Sequence, residues 1–355
     1  MSASHHRFEL PASGDGIARR QGTFVFSLDT EMAWGQLHRG SYAGHEADFA
    51  RTREVIAKLV ELFEQYEIRG TWATVGHLFL ESCTKKDGLA HPEIIRPKYS
   101  WFGNDWLHRD PCSNVKDAPW WYGPDVIETI KSCKVRQEIG CHNFSHVIVG
   151  DPGCSAETFE SELIASREAA KRHGVDMKSF VFPRNAIGHL NVLSRNGFTS
   201  YRGVAPAWFE SLPGPLVRFG RLADTFLPIG TPITQPEFDG TLTDIKASYF
   251  YRHRNGWAKM VPVSVQVTKA VRSIRRAARE GAIFHMWTHP FNVASSPARL
   301  LGGLERIFQE VSRLRDSGLL ISRTMTEVVE LEGARRASSP PRPVTTGRKA
   351  NSGSS

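Results

Sequence analysis

Short apolar runs alternate with stretches of helical period along most of the chain. Residues 23–28, 70–75, 138–141, 179–182, 198–202 and 282–287 are β-prone runs without a polar face, which predicts strands buried on both sides. Between them, residues 53–66 place Val55, Ile56, Leu59, Val60 and Phe63 at helical spacing. Further helices are predicted over 125–135, with Asp125 as N-cap, and over 155–173, stopped by Gly174. Others cover 190–195, a basic stretch over 263–280, and an amphipathic one over 299–314. Thr324 and Glu327 have the spacing of a capping box for one last short helix. Apolar strands alternating with helices argue a parallel sheet covered by helices, in an α/β fold.

Two excursions interrupt the alternation. Residues 82–124 are rich in Pro, Gly and tryptophan (Trp101, Trp106, Trp120, Trp121), and 204–262 show only weak periodicity. The tryptophans suit either stacking on a ligand or inward packing of the loop. This divides the chain into an extended or disordered segment over 1–21, one domain over 22–332, and a disordered tail over 333–355. There is no internal repeat.

Composition narrows the class. Apolar residues make up 40% and charged residues 23% of 355, as in a globular chain, and no apolar run reaches the roughly eighteen residues of a membrane span. The polar N-terminus lacks the apolar core of a secretory signal, which places the protein in the cytoplasm. Five cysteines without a CxxC pair read as free, buried thiols. The net charge of +8 is concentrated between Lys246 and Arg279. That cluster reads either as a docking surface for an anionic partner, a membrane included, or as a solvated helix face.

The unusual polar residues fall at strand ends. Asp29, His142, Arg184 and His289 each follow a predicted strand, at the rim where β/α barrels and open α/β sheets build their sites. No glycine-rich phosphate loop follows the first strand, which argues against a nucleotide fold. If the chain turns helical after His142, then His142 and His146 share one face and reach a single metal. The segment Asp29-Thr30-Glu31 offers a third ligand and a general base, whichever carboxylate takes which part. Arg184 is placed to hold that base ionised, and His289 to protonate a leaving group. Together they describe metal-assisted hydrolysis of an amide or ester.

With these residues on the page, the chain resembles the polysaccharide deacetylases of carbohydrate esterase family 4. The first family motif corresponds to Ser27-Leu28-Asp29-Thr30-Glu31, in a divergent Asp-x-Glu form. The second is His142-Asn143-Phe144-Ser145-His146. The third appears reordered as Pro183-Arg184-Asn185, and the last as Trp287-Thr288-His289-Pro290. The resemblance implies a distorted, TIM-like β/α barrel and a divalent metal, zinc above all, on Glu31, His142 and His146. It implies Asp29 as base, Arg184 as its orienting partner, His289 as acid, and Trp34, Tyr201 and Asn185 against the substrate. It also implies N-deacetylation of an acetamido sugar, and the lack of a secretory signal then points to a lipid- or nucleotide-linked polysaccharide precursor inside the cell as the substrate.

Rival readings keep part of this picture. The same fold also hydrolyses formamides and cyclic ureides, and the missing second aspartate suits a decayed barrel that only binds carbohydrate. Nucleic acid is not expected as a partner, because it leaves the strand-end residues unexplained. His77, His189 and His285 read as packing residues rather than catalytic ones.

Overall fold

The computed structural model describes residues 20–39 and 44–338. Its centre is β1 (Gly22–Thr30), whose nine residues are all buried. A strand buried on both faces must satisfy its backbone against neighbours on both edges, and β1 does so in parallel throughout. One edge pairs with β9 (Ile283–Thr288); the other pairs with β10 (Leu320–Ser322) below and β2 (Gly70–Thr74) above.

Outward from β2 the sheet continues, again in parallel, through β3 (Glu138–Cys141), β4 (Ser179–Val181) and β5 (Ser200–Arg202). Beyond β5 one extended segment closes the ring. Its first part, β7 (Thr243–Asp244), pairs with β5 and carries β6 (Glu237–Phe238) antiparallel on its outer edge. Its last part, β8 (Tyr249–Phe250), pairs with β9. Between them, Ala205 N donates to Ala247 O at 2.8 Å and Ser248 N to His285 O at 2.8 Å, so the chain crosses from one sheet edge to the other. The result is the predicted distorted β/α barrel. The closing strand lies inside the stretch whose weak periodicity concealed it.

Helices coat the outside. These are α1 (Glu46–Tyr66), α2 (Pro124–Lys131), α3 (Ala156–Lys171), α4 (Leu190–Arg195), α5 (Gly214–Phe226), α6 (Val263–Glu280), α7 (Pro290–Ala294) and α8 (Pro297–Asp316). Phe24 and Phe26 meet Phe63 of α1 and Phe308 of α8 edge to face at 5.6–6.5 Å. The alternate residues face inward. Val25, Ala73, Val181, Ile245 and Ile283 fill the lower interior, and Met325 and Val328 of α9 (Met325–Ser338) plug the bottom. The capping box holds: Thr324 N donates to Glu327 Oε2 at 3.0 Å and Glu327 N to Thr324 Oγ1 at 3.2 Å.

Several expectations need correction. Asp125 is not an N-cap; it lies inside the first turn of α2 and pairs with Arg53 at 2.7 Å. Helix α9 runs through Gly333 to Ser338, with Arg335 paired to Glu332 along it, so residues 333–338 are helical where composition suggested disorder. The segments 1–19 and 339–355 lie outside the described residues. No helix among the described residues is long and apolar enough to cross a membrane.

Candidate metal centre and catalytic cleft

At the upper rim the inward-facing positions become polar. Asp29 ends the inward row of β1, His142 follows β3 and His289 follows β9, so their side chains converge on one cleft of about 380 Å³, while Arg202 at the end of β5 is buried beside Asp29.

Glu31, His142 and His146 form the floor. Glu31 Oε2 lies 3.2 Å from His142 Nε2 and 2.9 Å from His146 Nε2, and all three residues are buried. The His142 Nδ1–H donates to the Val181 carbonyl at 2.7 Å, which turns Nε2 toward the carboxylate. His146 Nδ1 is buried and without a hydrogen-bond partner. A buried carboxylate oxygen facing two imidazole nitrogens at such distances is a donor set that suits a divalent metal. Burial alone would raise the Glu31 carboxyl, but the charges of His289 and His146 and hydrogen bonds from both ligand histidines hold it well below the usual carboxylate range.

The histidine pair does not sit on a helix. Asn143 and His146 have positive φ values of 62° and 63°, so the segment is a tight loop. Buried Glu162 takes the place of helical hydrogen bonding. It accepts the amides of Phe144 and Ser145 at 2.8 and 2.7 Å, and the Ser145 hydroxyl at 2.5 Å. Burial pushes its carboxyl up to about 6 despite those bonds. The two imidazoles meet because the loop folds back, and not through the i, i+4 geometry that the spacing suggested.

Arg202, rather than Arg184, holds Asp29. Its guanidinium donates to Asp29 Oδ1 at 2.6 Å and Oδ2 at 2.7 Å, with both side chains buried. Burial raises the Asp29 carboxyl, but the charge and hydrogen bonds of Arg202, aided by His142 and His289, bring it below the ordinary value. The guanidinium also lies over the Trp287 ring at 4.3 Å and donates to Asn185 Oδ1 at 3.2 Å. Arg184 stands at the cleft wall with an exposed side chain and makes no ion pair with Asp29. Its φ of 55° places it in the left-handed region, in a turn directly after β4.

A relay of hydrogen bonds fixes Arg202 from beneath. It donates to Ser27 Oγ at 3.0 Å, and Ser27 Oγ lies 2.8 Å from His285 Nε2. His285 Nδ1–H donates to the Ile245 carbonyl at 2.9 Å, so its Nε2 accepts the Ser27 proton and the ring is neutral. Burial, with the Arg202 charge, pushes this imidazole down to about 3. His285 is therefore a supporting group, in keeping with its position inside a strand.

His289 closes the site. Its Nδ1 lies 2.8 Å from the Asn292 side-chain amide, which orients the ring so that Nε2 faces Glu31 Oε1 at 3.4 Å and Asp29 Oδ2 at 3.8 Å. Phe250, Trp287 and Phe291 give the cleft an apolar wall, and Asn185 lines it.

Two residues placed against the substrate lie elsewhere. Trp34 is fully buried, with its indole N–H on the Trp121 carbonyl at 3.1 Å and its ring against His77 at 4.4 Å. The 3-10 turn after β1 rotates it away from the cleft and under the first excursion. Tyr201 precedes Arg202 on β5, so strand alternation sends it outward, edge to face with Phe182 at 5.9 Å. Of the loop tryptophans, Trp106 and Trp121 are buried under the excursion, and none of the four lines the cleft.

The basic stretch finds partners within the protein. Lys269 pairs with Asp224 at 2.9 Å, Arg275 with Glu310 at 2.8 Å, Arg276 with Glu280 at 2.9 Å and Lys246 with Glu237 at 2.5 Å.

No family model matches the chain, and no curated protein sequence does. Solved structures do. A protein of Mycobacterium smegmatis designated a polysaccharide deacetylase superposes with a TM-score of 0.60 at 14% identity, over 96% of this chain and 99% of that one. Another so designated, from Pseudomonas aeruginosa PAO1, gives 0.54 at 10% identity, over 87% and 89% of the two chains. Puue allantoinase gives 0.54 at 9% identity, over 89% and 92%. At such identities the likeness is one of architecture, and it shows that this chain has the distorted β/α barrel of the polysaccharide-deacetylase type.

Proposed function

We propose that this protein is a metal-dependent hydrolase that removes an N-acetyl group from an acetamido sugar. The observation that carries the reading is the meeting of Glu31, His142 and His146 on the floor of a cleft that Asp29 and His289 also enter. Those three residues would hold the ion, which when bound supplies Lewis-acid polarisation of an acyl carbonyl and of water.

The remaining steps belong to the chain. Asp29 takes the proton of the attacking water, kept ionised and aimed by the two-pronged grip of Arg202. His289, as the imidazolium, gives its Nε2 proton to the departing amine and is left as the neutral imidazole. Phe250, Trp287 and Phe291 offer apolar faces to a pyranose ring, and Asn185 offers a polar contact. A cleft of about 380 Å³ is at the small end of ligand pockets, which favours a single sugar residue over a long stretch of polymer.

A second reading, hydrolysis of a formamide or a cyclic ureide, draws support from the barrel shared with an allantoinase. A panel of N-acetylated sugars, N-formylated sugars and allantoin, assayed with zinc-loaded protein, separates the two. Acetate release that disappears in Asp29→Asn is the expected result. Formate release or ureide opening alone would favour the second reading, and no turnover of any panel member would overturn both.

A further inference from the structure

A second group of ligand atoms lies behind the cleft, beneath the first excursion. His77 sits in the 3-10 turn Gly76–Phe79 after β2, and Cys83, His91 and Asp110 come from the loop that follows. Their ligand atoms all lie within 4.8 Å of one another. The side chains of His77 and Asp110 are fully buried and that of His91 is 9% exposed.

Each donor is oriented from outside. His77 Nδ1 lies 3.1 Å from the Trp121 carbonyl, which can only accept, so its Nε2 lone pair faces Asp110 Oδ2 at 3.2 Å. His91 Nδ1 lies 3.1 Å from Glu93 Oε1, and its Nε2, 3.2 Å from the same Asp110 oxygen, has no hydrogen-bond partner. Asp110 Oδ1 accepts the Cys112 amide at 2.9 Å. Tyr122 OH accepts the Ser113 amide at 2.8 Å and lies 3.1 Å from Cys83 Sγ, placed to donate its own proton to a thiolate.

The separations from Asp110 to its neighbours and from the thiol to His77 fit tetrahedral coordination of one ion. Metal–nitrogen and metal–oxygen bonds of about 2.05 Å give a tetrahedron edges of about 3.3 Å, and a metal–sulfur bond of about 2.3 Å gives edges of about 3.5 Å. The observed separations are 3.2 Å from Asp110 to each imidazole, 3.6 Å from sulfur to His77 and 3.7 Å from sulfur to Asp110. A divalent ion with one thiolate and one carboxylate is electrically neutral, which suits a buried site.

We propose that His77, Cys83, His91 and Asp110 bind a second zinc ion, structural rather than catalytic, with four protein ligands. Two imidazoles, a thiolate and a carboxylate favour zinc over the harder magnesium or calcium. Cys83 and His91 also line a shallow cleft open to solvent, which gives the ion an entry path. The ion ties the excursion to the barrel rim and buttresses the catalytic loop. His77 N donates to the Phe144 carbonyl at 3.0 Å, and the rings of His77 and His91 pack on Phe144 at 5.5 and 4.9 Å, between the two ligand histidines of the cleft. The site is independent of the deacetylase reading, since it shares no ligand with the cleft.

Metal analysis of the full chain tests this. Two zinc equivalents are expected in the wild type, and one each in His142→Ala and Cys83→Ser. In His142→Ala loaded with cobalt(II), the remaining ion should show a near-ultraviolet thiolate-to-metal charge-transfer band, because only the second site has a sulfur ligand. Folded His142→Ala that binds no ion, or binds cobalt without that band, would overturn the proposal. If Cys83→Ser does not fold, the cobalt spectrum of His142→Ala still decides. Loss of acetamidase activity alone bears only on the cleft.

Discussion

Arg202 grips both carboxylate oxygens of Asp29, at 2.6 and 2.7 Å, from the far side of the barrel. The base and its orienting partner thus come from β1 and β5, and the arginine after β4 is left at the cleft wall. Arg202→Met would leave a buried carboxylate unpaired and should cost about 3–5 kcal/mol of stability. Arg202→Lys keeps the charge but loses the fork, and should lower kcat with a smaller loss of stability. Arg184→Ala should leave kcat and Tm near wild type and act on KM alone. Chemical denaturation together with steady-state kinetics on the three variants checks the assignment.

His289→Asn removes the proton donor and none of the three residues of the metal floor. A fall in kcat of roughly 10²–10⁴-fold is expected, with zinc content unchanged. Parallel turnover and metal measurements read both, and a loss of zinc would mean that His289 is a ligand instead.

Gly35 secures Glu31. A Cβ at position 35 would stand 2.0 Å from Glu31 Oε1, so Gly35→Ala must displace the carboxylate. Zinc affinity should fall by roughly 10–100-fold, the range seen when groups supporting a metal ligand are disturbed. Competition with a chromophoric chelator measures it.

Trp34 is a core residue. Trp34→Ala should cost about 3–5 kcal/mol, as large aromatic truncations in cores do. At a temperature where the variant is still folded, KM should be unaltered. A raised KM in a fully stable variant would instead return Trp34 to the substrate.

His285 gives the fold an acid sensitivity of known sign. Its folded value is pushed down to about 3, while an unfolded histidine titrates near ~6.5. Between those values the unfolded chain binds a proton that the folded one refuses, so stability falls as pH drops, by up to about 1.4 kcal/mol per pH unit. Above the upper value this contribution vanishes. His285→Gln should therefore lose less stability than wild type between pH 6 and pH 4, on the order of one proton's worth of slope. Urea titrations of both proteins across that range test it, and equal slopes would count against a neutral, buried His285.

Local order carried much of the architecture. The apolar runs that become β1, β2, β3, β4, β5 and β9 are legible because strands buried on both faces exclude polar residues. Asp29, His142 and His289 stand out because each breaks such a run at its end. The weak signal over 204–262 has an equally physical cause. The closing strand there is a few residues of pairing on each of two neighbours, too short for a period to show.

Which side chains meet was decided only in three dimensions. Tyr201 and Arg202 are adjacent in a buried strand, and the register of β5 within the closed ring sends one outward and the other onto Asp29. A charge inside a buried strand demands a partner, so Arg202 carried a signal, but nothing local named Asp29 as that partner. The same holds for His77, Cys83, His91 and Asp110, whose irregular spacing has no motif and which converge because the excursion folds back over β2. His142 and His146 were visible by their spacing, yet a loop bound to Glu162 brings them together, where a helix was expected. Sequence alone determined which groups stand at the strand ends; barrel closure and loop packing, which act between residues far apart in the chain, determined how they pair.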